Sequence, residues 1–160
     1  MPGKIIIRLL KFKMSEKKKR KIFVDGAITP GFIGESIEKH RTKKDIGAHS
    51  IFLGQVRNDA VNNKEVKAIE YTAYVDMAEE KFHEISEAAF GKYSLVCLHI
   101  FHSLGIVYAG EISLFVFTSS SHRKDAVKAC EEIVERIKYE TPVWGKEIFD
   151  DYSHQWKINN

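Results

Sequence analysis

Two cysteines in 160 residues, Cys97 and Cys130, are too few and too far apart for a disulfide framework, and they form no C-x-x-C pair. Cys97 falls in an apolar strand-like run and Cys130 on the apolar face of a helix. Both are expected as buried free thiols of a reducing compartment, with the cytoplasm as the default location. No apolar run approaches the ~20 residues of a membrane span. The early I-I-I-R-L-L segment is broken by Arg8 and followed by no small-residue cleavage site, which argues against a signal peptide. H-E-x-x-H, P-loop and G-x-S-x-G patterns are absent, and there is no internal repeat. His99-x-x-His102 lies on strand-like sequence, where that spacing sends the rings to opposite faces, so no metal site is expected.

Charge of one sign is scarce only in places. The whole chain carries a net +3, but residues 1–21 hold nine Lys/Arg against the single acid Glu16, a net of +8, which leaves −5 for residues 22–160. Phosphate-backbone binding needs a broad basic face, so an acidic remainder argues against nucleic acid as a partner. The sequence suggests a basic, mobile lead-in over 1–21, with Met14 as a candidate working start, and one domain over 22–160. At 44% hydrophobic residues that domain can bury a single core.

Periodicity predicts β-α-β-β-α-β-β-α-β, an α+β chain with a mixed, largely antiparallel sheet and packed helices. A first strand over 21–28 leads to a helix capped at Thr29-Pro30 and running to about His40. G-A-H-S-I-F-L-G-Q-V-R reads as a buried strand ending at Arg57, N-D-A-V-N-N-K as a loop, and 66–74 as a strand. Asp76 and Glu79 form a capping-box pattern for a second helix whose inward stripe is Ala78, Phe82, Ile85 and Ala89, with Gly91 placed to end it. Strands follow over 95–101 and 112–117. A long helix from about His122 stops at Thr141-Pro142, its stripe being Ala126, Val127, Cys130, Ile133, Val134 and Ile137. An extended edge segment closes the pattern over 143–149.

That last helix carries the chemistry. The macrodipole favours acids at a helix N-terminus, yet this one opens His122-Arg123-Lys124 behind three serines able to cap it, an arrangement suited to a phosphate. At the other end Lys138 sits where a cation suits the dipole. Lys146 follows between Trp144 and Glu147, an aromatic wall and an acid that could orient an amine. Sixteen helical residues separate His122 from Lys138, roughly 24 Å, so one small substrate reaches both only if two copies share the site, which implies a two-fold homodimer. Gly54 and Arg57 at the end of the second strand add a weaker signal.

Taken together, G-A-H-S-I-F-L-G-Q-V-R, I-F-H-S-L-G-I-V-Y-A-G-E, S-S-S-H-R-K-D-A and K-Y-E-T-P-V-W-G-K-E, in this order, resemble the large, catalytic subunit family of molybdopterin synthase, over roughly residues 22–159. The resemblance implies an α/β hammerhead-like fold and a sulfurtransferase. A small ubiquitin-like partner would insert its Gly-Gly tail, bearing a thiocarboxylate, and two transfers would convert cyclic pyranopterin monophosphate to the dithiolene of molybdopterin. It further implies a homodimer within a heterotetramer with two small subunits, and no cofactor, metal, nucleic acid or membrane. By motif, Gln55, Val56 and Arg57 would line the pterin phosphate pocket, and His122 and Arg123 would bind substrate from the second protomer. Lys138 would be the central amine, with Gly145, Lys146 and Glu147 beside it. The chain departs from the family at Gly145, where a lysine often follows the tryptophan, and Lys146 is the candidate to take over. A non-catalytic docking module for a ubiquitin-like protein, and a nucleotide- or nucleic-acid-binding domain relying on the basic lead-in, are the alternatives.

Overall fold

The computed structural model describes residues 21–159. The elements are β1 (Phe23–Asp25), α1 (Pro30–Glu38), β2 (Ala48–Gln55), β3 (Ala60–Val61), β4 (Lys64–Ala73), α2 (Val75–Lys92), β5 (Leu95–Tyr108), β6 (Ile112–Ser120), α3 (Arg123–Glu140), β7 (Val143–Phe149) and β8 (His154–Trp156). Apart from Lys21, the expected lead-in lies outside the described residues. The architecture is α+β. Eight strands form one sheet in the order β2-β6-β5-β4-β7-β8, with β1 beside β5 and β3 beside β4. Among the described pairs, β1 against β5 is parallel and the others are antiparallel.

β5 joins the two halves of this sheet. Its first part, Leu95 to His102, pairs with β6, whereas Gly105 to Tyr108 pair with β4. Gly105, at φ 81, supplies a backbone conformation that a side chain would resist, at the point where the strand changes partners. The sequence reading ends this strand at Phe101 because His102, Ser103 and Gly105 interrupt the apolar pattern; sheet pairing carries it to Tyr108.

Side-chain alternation gives the β5–β6 region two buried faces. Leu98, Ile100, Leu114 and Val116 pack with Phe82 and Ile85 of α2 and Ile133 and Ile137 of α3. Phe115 and Phe117 point the other way, against Ile33 of α1. A third cluster, Val56, Val66, Ile69, Val107 and Phe149, fills the β4–β7 half. Each of these large apolar side chains contributes roughly 1.5–3 kcal/mol by leaving water.

Local details correct several expectations. Thr29 does cap α1, accepting from Phe32 N–H at 3.2 Å. Asp76 does not cap α2: the helix starts at Val75 with Tyr74 as N-cap, and tertiary packing of Ala78 and Phe82 fixes its start in place of the capping box. Gly91 lies inside that helix, which ends at Lys92. The polar loop holds a hairpin instead, with Asn62 and Asn63 at φ 50 and 62 making the tight turn between β3 and β4. β2 is half-exposed along its length because it is the edge strand beside β6. β7 is not an edge, since β8 covers it. On α3, Val127 is 53% exposed and Ala129 takes its place in the buried stripe, following the helical period one step round.

Candidate functional site

β4, β7 and the end of β8 present one packed face and one exposed face, and strand alternation decides which side chains meet. Tyr71 stands opposite Gly145, and Lys157 N–H donates to Gly145 O at 2.8 Å, extending the β7–β8 ladder by one residue. Directly opposed residues share a face. Tyr71, Gly145 and Lys157 therefore line the packed side, where the end of α3 brings Lys138. Glu70, Trp144, Lys146 and Trp156 line the other.

The packed side has a polar floor. Tyr71 Oη donates to Ser113 Oγ at 3.1 Å, and Ser113 Oγ reaches Gly54 O at 3.4 Å, tying β4 through β6 to the end of β2. Burial raises the Tyr71 pKa, so the phenol stays protonated. The His102 ring lies 5.1 Å from the Tyr71 ring, edge to face, and its Nδ1 lies 2.8 Å from Ser103 O. Burial pushes the His102 pKa down to about 4, with the nearby Lys138 charge acting in the same direction.

Lys138 closes this floor from the last turn of α3. It is exposed along its side chain, yet the protein surrounding its amine is dense enough to lower its pKa; desolvation is the largest cause and the neighbouring charge of Lys157 comes next. Asn159 Nδ2 donates to Lys138 O at 3.3 Å, so the segment after β8 crosses the end of α3. The Lys157 charge thus acts on the Lys138 amine, and the Lys138 charge in turn on His102. Nothing in the sequence patterns points to Lys157. The signal that finds it is the cross-strand position opposite Gly145, visible only once the β7–β8 register is known.

The other expected site residues fall in three places. β2 ends at Gln55, after a register shift, and not at Arg57 as the sequence suggested; buried Val56 and Arg57 follow it close to the Ser113–Gly54 link, and Arg57 is exposed and pairs with Asp59 at 3.0 Å. Lys146 faces away from Gly145 and forms an ion pair with Glu70 at 2.9 Å beside the exposed Trp144 and Trp156. Glu147 is buried on the packed side and accepts from Gln155 Nε2 at 2.8 Å. Gly145 has no room to spare, because a Cβ there would lie 2.9 Å from Ile69 Cγ2 and 3.4 Å from Tyr71 Cε1. His122 and Arg123 are exposed at the far end of α3. The three serines do not cap that helix: Ser119 and Ser120 belong to β6, and Ser121 Oγ donates to Asp45 O. α3 is continuous, so one copy cannot bring His122 and Lys138 to one small ligand.

His102 sets a pH dependence. A buried base with a lowered pKa leaves the unfolded chain binding more protons between pH 6.5 and 4, so stability is complete above pH 6.5 and falls on acidification. By pH 4 the loss attributable to this ring is about 3 kcal/mol. Urea denaturation at several pH values checks it, and His102→Asn should flatten the curve over that window.

Among the described residues no helix is long and apolar enough to cross a membrane. Residues 30–140 match the family model described as MoaE protein. The molybdopterin synthase catalytic subunit of Bos taurus is 35% identical over 113 residues, which are 71% of this chain and 59% of the cow protein, so the chain spans less than two thirds of that relative. An X-ray crystal structure of molybdopterin synthase from Staphylococcus aureus superposes with a TM-score of 0.73 at 31% identity, covering 86% of this chain and 96% of that one. A complex of subunits 1 and 2 of molybdopterin-converting factor from Helicobacter pylori shares the fold, with a TM-score of 0.74 at 22% identity over 87% of this chain and 90% of that one.

Proposed function

The chain belongs to the MoaE protein family, and on that premise we propose that it is the catalytic subunit of a molybdopterin synthase. It would transfer sulfur from the C-terminal thiocarboxylate of a small ubiquitin-like partner to cyclic pyranopterin monophosphate. Residues 22–160 are the working domain in this reading, and two copies pair so that His122 and Arg123 of one serve the site of the other. Two small partners complete a heterotetramer, which acts in the cytoplasm.

The observation that carries the reading is the Lys138 amine in the last turn of α3, desolvated and acted on by the Lys157 charge, with its own charge felt by His102 beside Tyr71. A desolvated ammonium with a second cation acting on it suits an anionic ligand, and a thiocarboxylate or a phosphate supplies one. When the carbonyl of the partner's tail is attacked, negative charge grows on its oxygen. An ammonium already held there stabilises that charge without reorganising. Neutral His102 and protonated Tyr71 bring no competing anion to the floor. Arg57 and the backbone beside Val56 suit the substrate phosphate, while Lys157 takes the part that the sequence assigned to Lys146.

A reconstituted assay tests this: the full chain, thiocarboxylated partner and pterin precursor are mixed, and dithiolene product is measured. Product that depends on this chain is expected. Capture of the partner without product would point instead to a docking module.

A further inference from the structure

On the α1 side of the sheet, remote from the Lys138 floor, lies a group of side chains that the proposed reaction leaves unused. Cys97 and His99 are two apart on β5 and therefore share a face. His40, just beyond the end of α1, comes down on them. One potential ligand atom from each of His40, Cys97 and His99 lies within 4.8 Å of the others, and this is the one such group found among the described residues. His40 Nε2 is 3.1 Å from His99 Nε2, with the rings nearly perpendicular at 80° and their centroids 5.0 Å apart. Cys97 is 5% exposed and His40 8%.

Three details distinguish this group from an ordinary buried polar cluster. First, His40 Nδ1 lies 2.6 Å from Ser36 O, a carbonyl that can only accept. The ring proton is therefore on Nδ1 and the lone pair is on Nε2, so the carbonyl holds the ring with its lone pair turned outward, as a histidine that binds a metal is held. Second, that lone pair accepts from His99 Nε2 at 3.1 Å, a spacing close to the roughly 3.3 Å between two nitrogens bound at ~2.0–2.1 Å to one tetrahedral ion, so a cation replacing the shared proton needs little movement of either ring. Third, Cys97 Sγ accepts from Lys43 Nζ at 2.6 Å, so the sulfur is already in a cationic field, and the exposed Lys43 side chain is free to swing into solvent.

We propose that His40 Nε2, His99 Nε2 and Cys97 Sγ form a binding site for a thiolate- and imidazole-seeking divalent cation, zinc being the best match. Binding displaces the His99 Nε2 proton, which shifts to Nδ1 of that ring, and releases the thiol proton, leaving two nitrogen–metal bonds and one sulfur–metal bond with the cation kept in its divalent state. A Cys-His-His set fills three of four tetrahedral positions. The fourth opens toward a cleft of about 460 Å³ lined in part by Lys21, Lys43, Phe90 and Phe101, where a water or a small anionic donor completes the shell. The ion would fasten the end of α1 to the central strand. The proposal is independent of the sulfur-transfer reading.

The test uses the full chain without a histidine tag, stripped of metal and titrated with Co²⁺ as a spectroscopic probe, then with Zn²⁺ in competition with a chromophoric chelator. The expected result is one equivalent of Co²⁺ giving a thiolate-to-cobalt charge-transfer band that Zn²⁺ abolishes, with a zinc Kd of about 1 µM or tighter. Cys97→Ser should remove the band, and His99→Asn should weaken zinc binding at least about tenfold. His154→Asn, on exposed β8, should change nothing. Circular dichroism of each variant shows that it is folded; because His99 is only half-buried, its variant carries the test if Cys97→Ser unfolds. Absence of the band, or zinc affinity unchanged in a folded His99→Asn variant, overturns the proposal.

Discussion

Lys138→Ala should reduce dithiolene formation by about 10²–10³-fold in the reconstituted assay, the range seen when a donor to a developing oxyanion is removed. That corresponds to about 3–4 kcal/mol of transition-state stabilisation. The fold should survive, because the side chain is exposed and its backbone carbonyl still accepts from Asn159. Far-ultraviolet circular dichroism and partner binding check this independently. Lys138→Arg separates the two chemical roles open to the amine. A cation that stabilises charge is partly replaced by guanidinium, whereas a proton carrier is not, since guanidinium keeps its proton. Partial rescue is expected. Because the protein surrounding the amine desolvates it and the Lys157 charge repels it, the Lys138 pKa is lowered, and kcat/KM should fall on the alkaline side before the ordinary lysine range is reached. Full activity in Lys138→Ala would remove this residue from the mechanism.

Lys157→Ala should lower the same rate about 10–100-fold, with Lys146→Ala changing it much less. Both side chains are lysines of the β7–β8 hairpin, so a general loss of positive charge would affect them alike. The difference lies in direction: Lys157 opposes Gly145 on the side of Tyr71 and Lys138, while Lys146 pairs with Glu70 on the reverse side. Removing Lys157 also removes the second cause of the Lys138 shift. The alkaline limb should therefore move upward in Lys157→Ala and stay in place in Lys146→Ala. A larger loss in Lys146→Ala than in Lys157→Ala would reverse the assignment.

Most of the element order was legible because hydrophobic periodicity is a local signal. Phe82, Ile85, Ile133 and Ile137 recur at helical spacing whatever they later touch, and they are buried as that spacing implies. Element ends were less legible. Asp76 has the right neighbours for a cap, but the helix register is set by what Ala78 and Phe82 bury, and that energy exceeds the ~1 kcal/mol of a cap. β8 escaped because His154-Gln155-Trp156 is exposed and carries no apolar alternation; pairing with β7 defines it.

For the site, the sequence by itself determined the family resemblance, the α+β class and the placing of a lysine in the last turn of a long helix. It also set the distance between His122 and Lys138, because a continuous helix has a fixed rise. Tertiary structure decided everything that depends on which face a strand residue takes and which distant strand lies opposite. That Lys146 takes the face opposite to the Tyr71–Gly145 pair, that the Lys157 charge acts on Lys138, and that His40 meets Cys97 and His99 are all consequences of sheet register and helix docking. Residues that far apart in the chain leave no common local pattern, since the contact forms only when long-range burial brings their elements together.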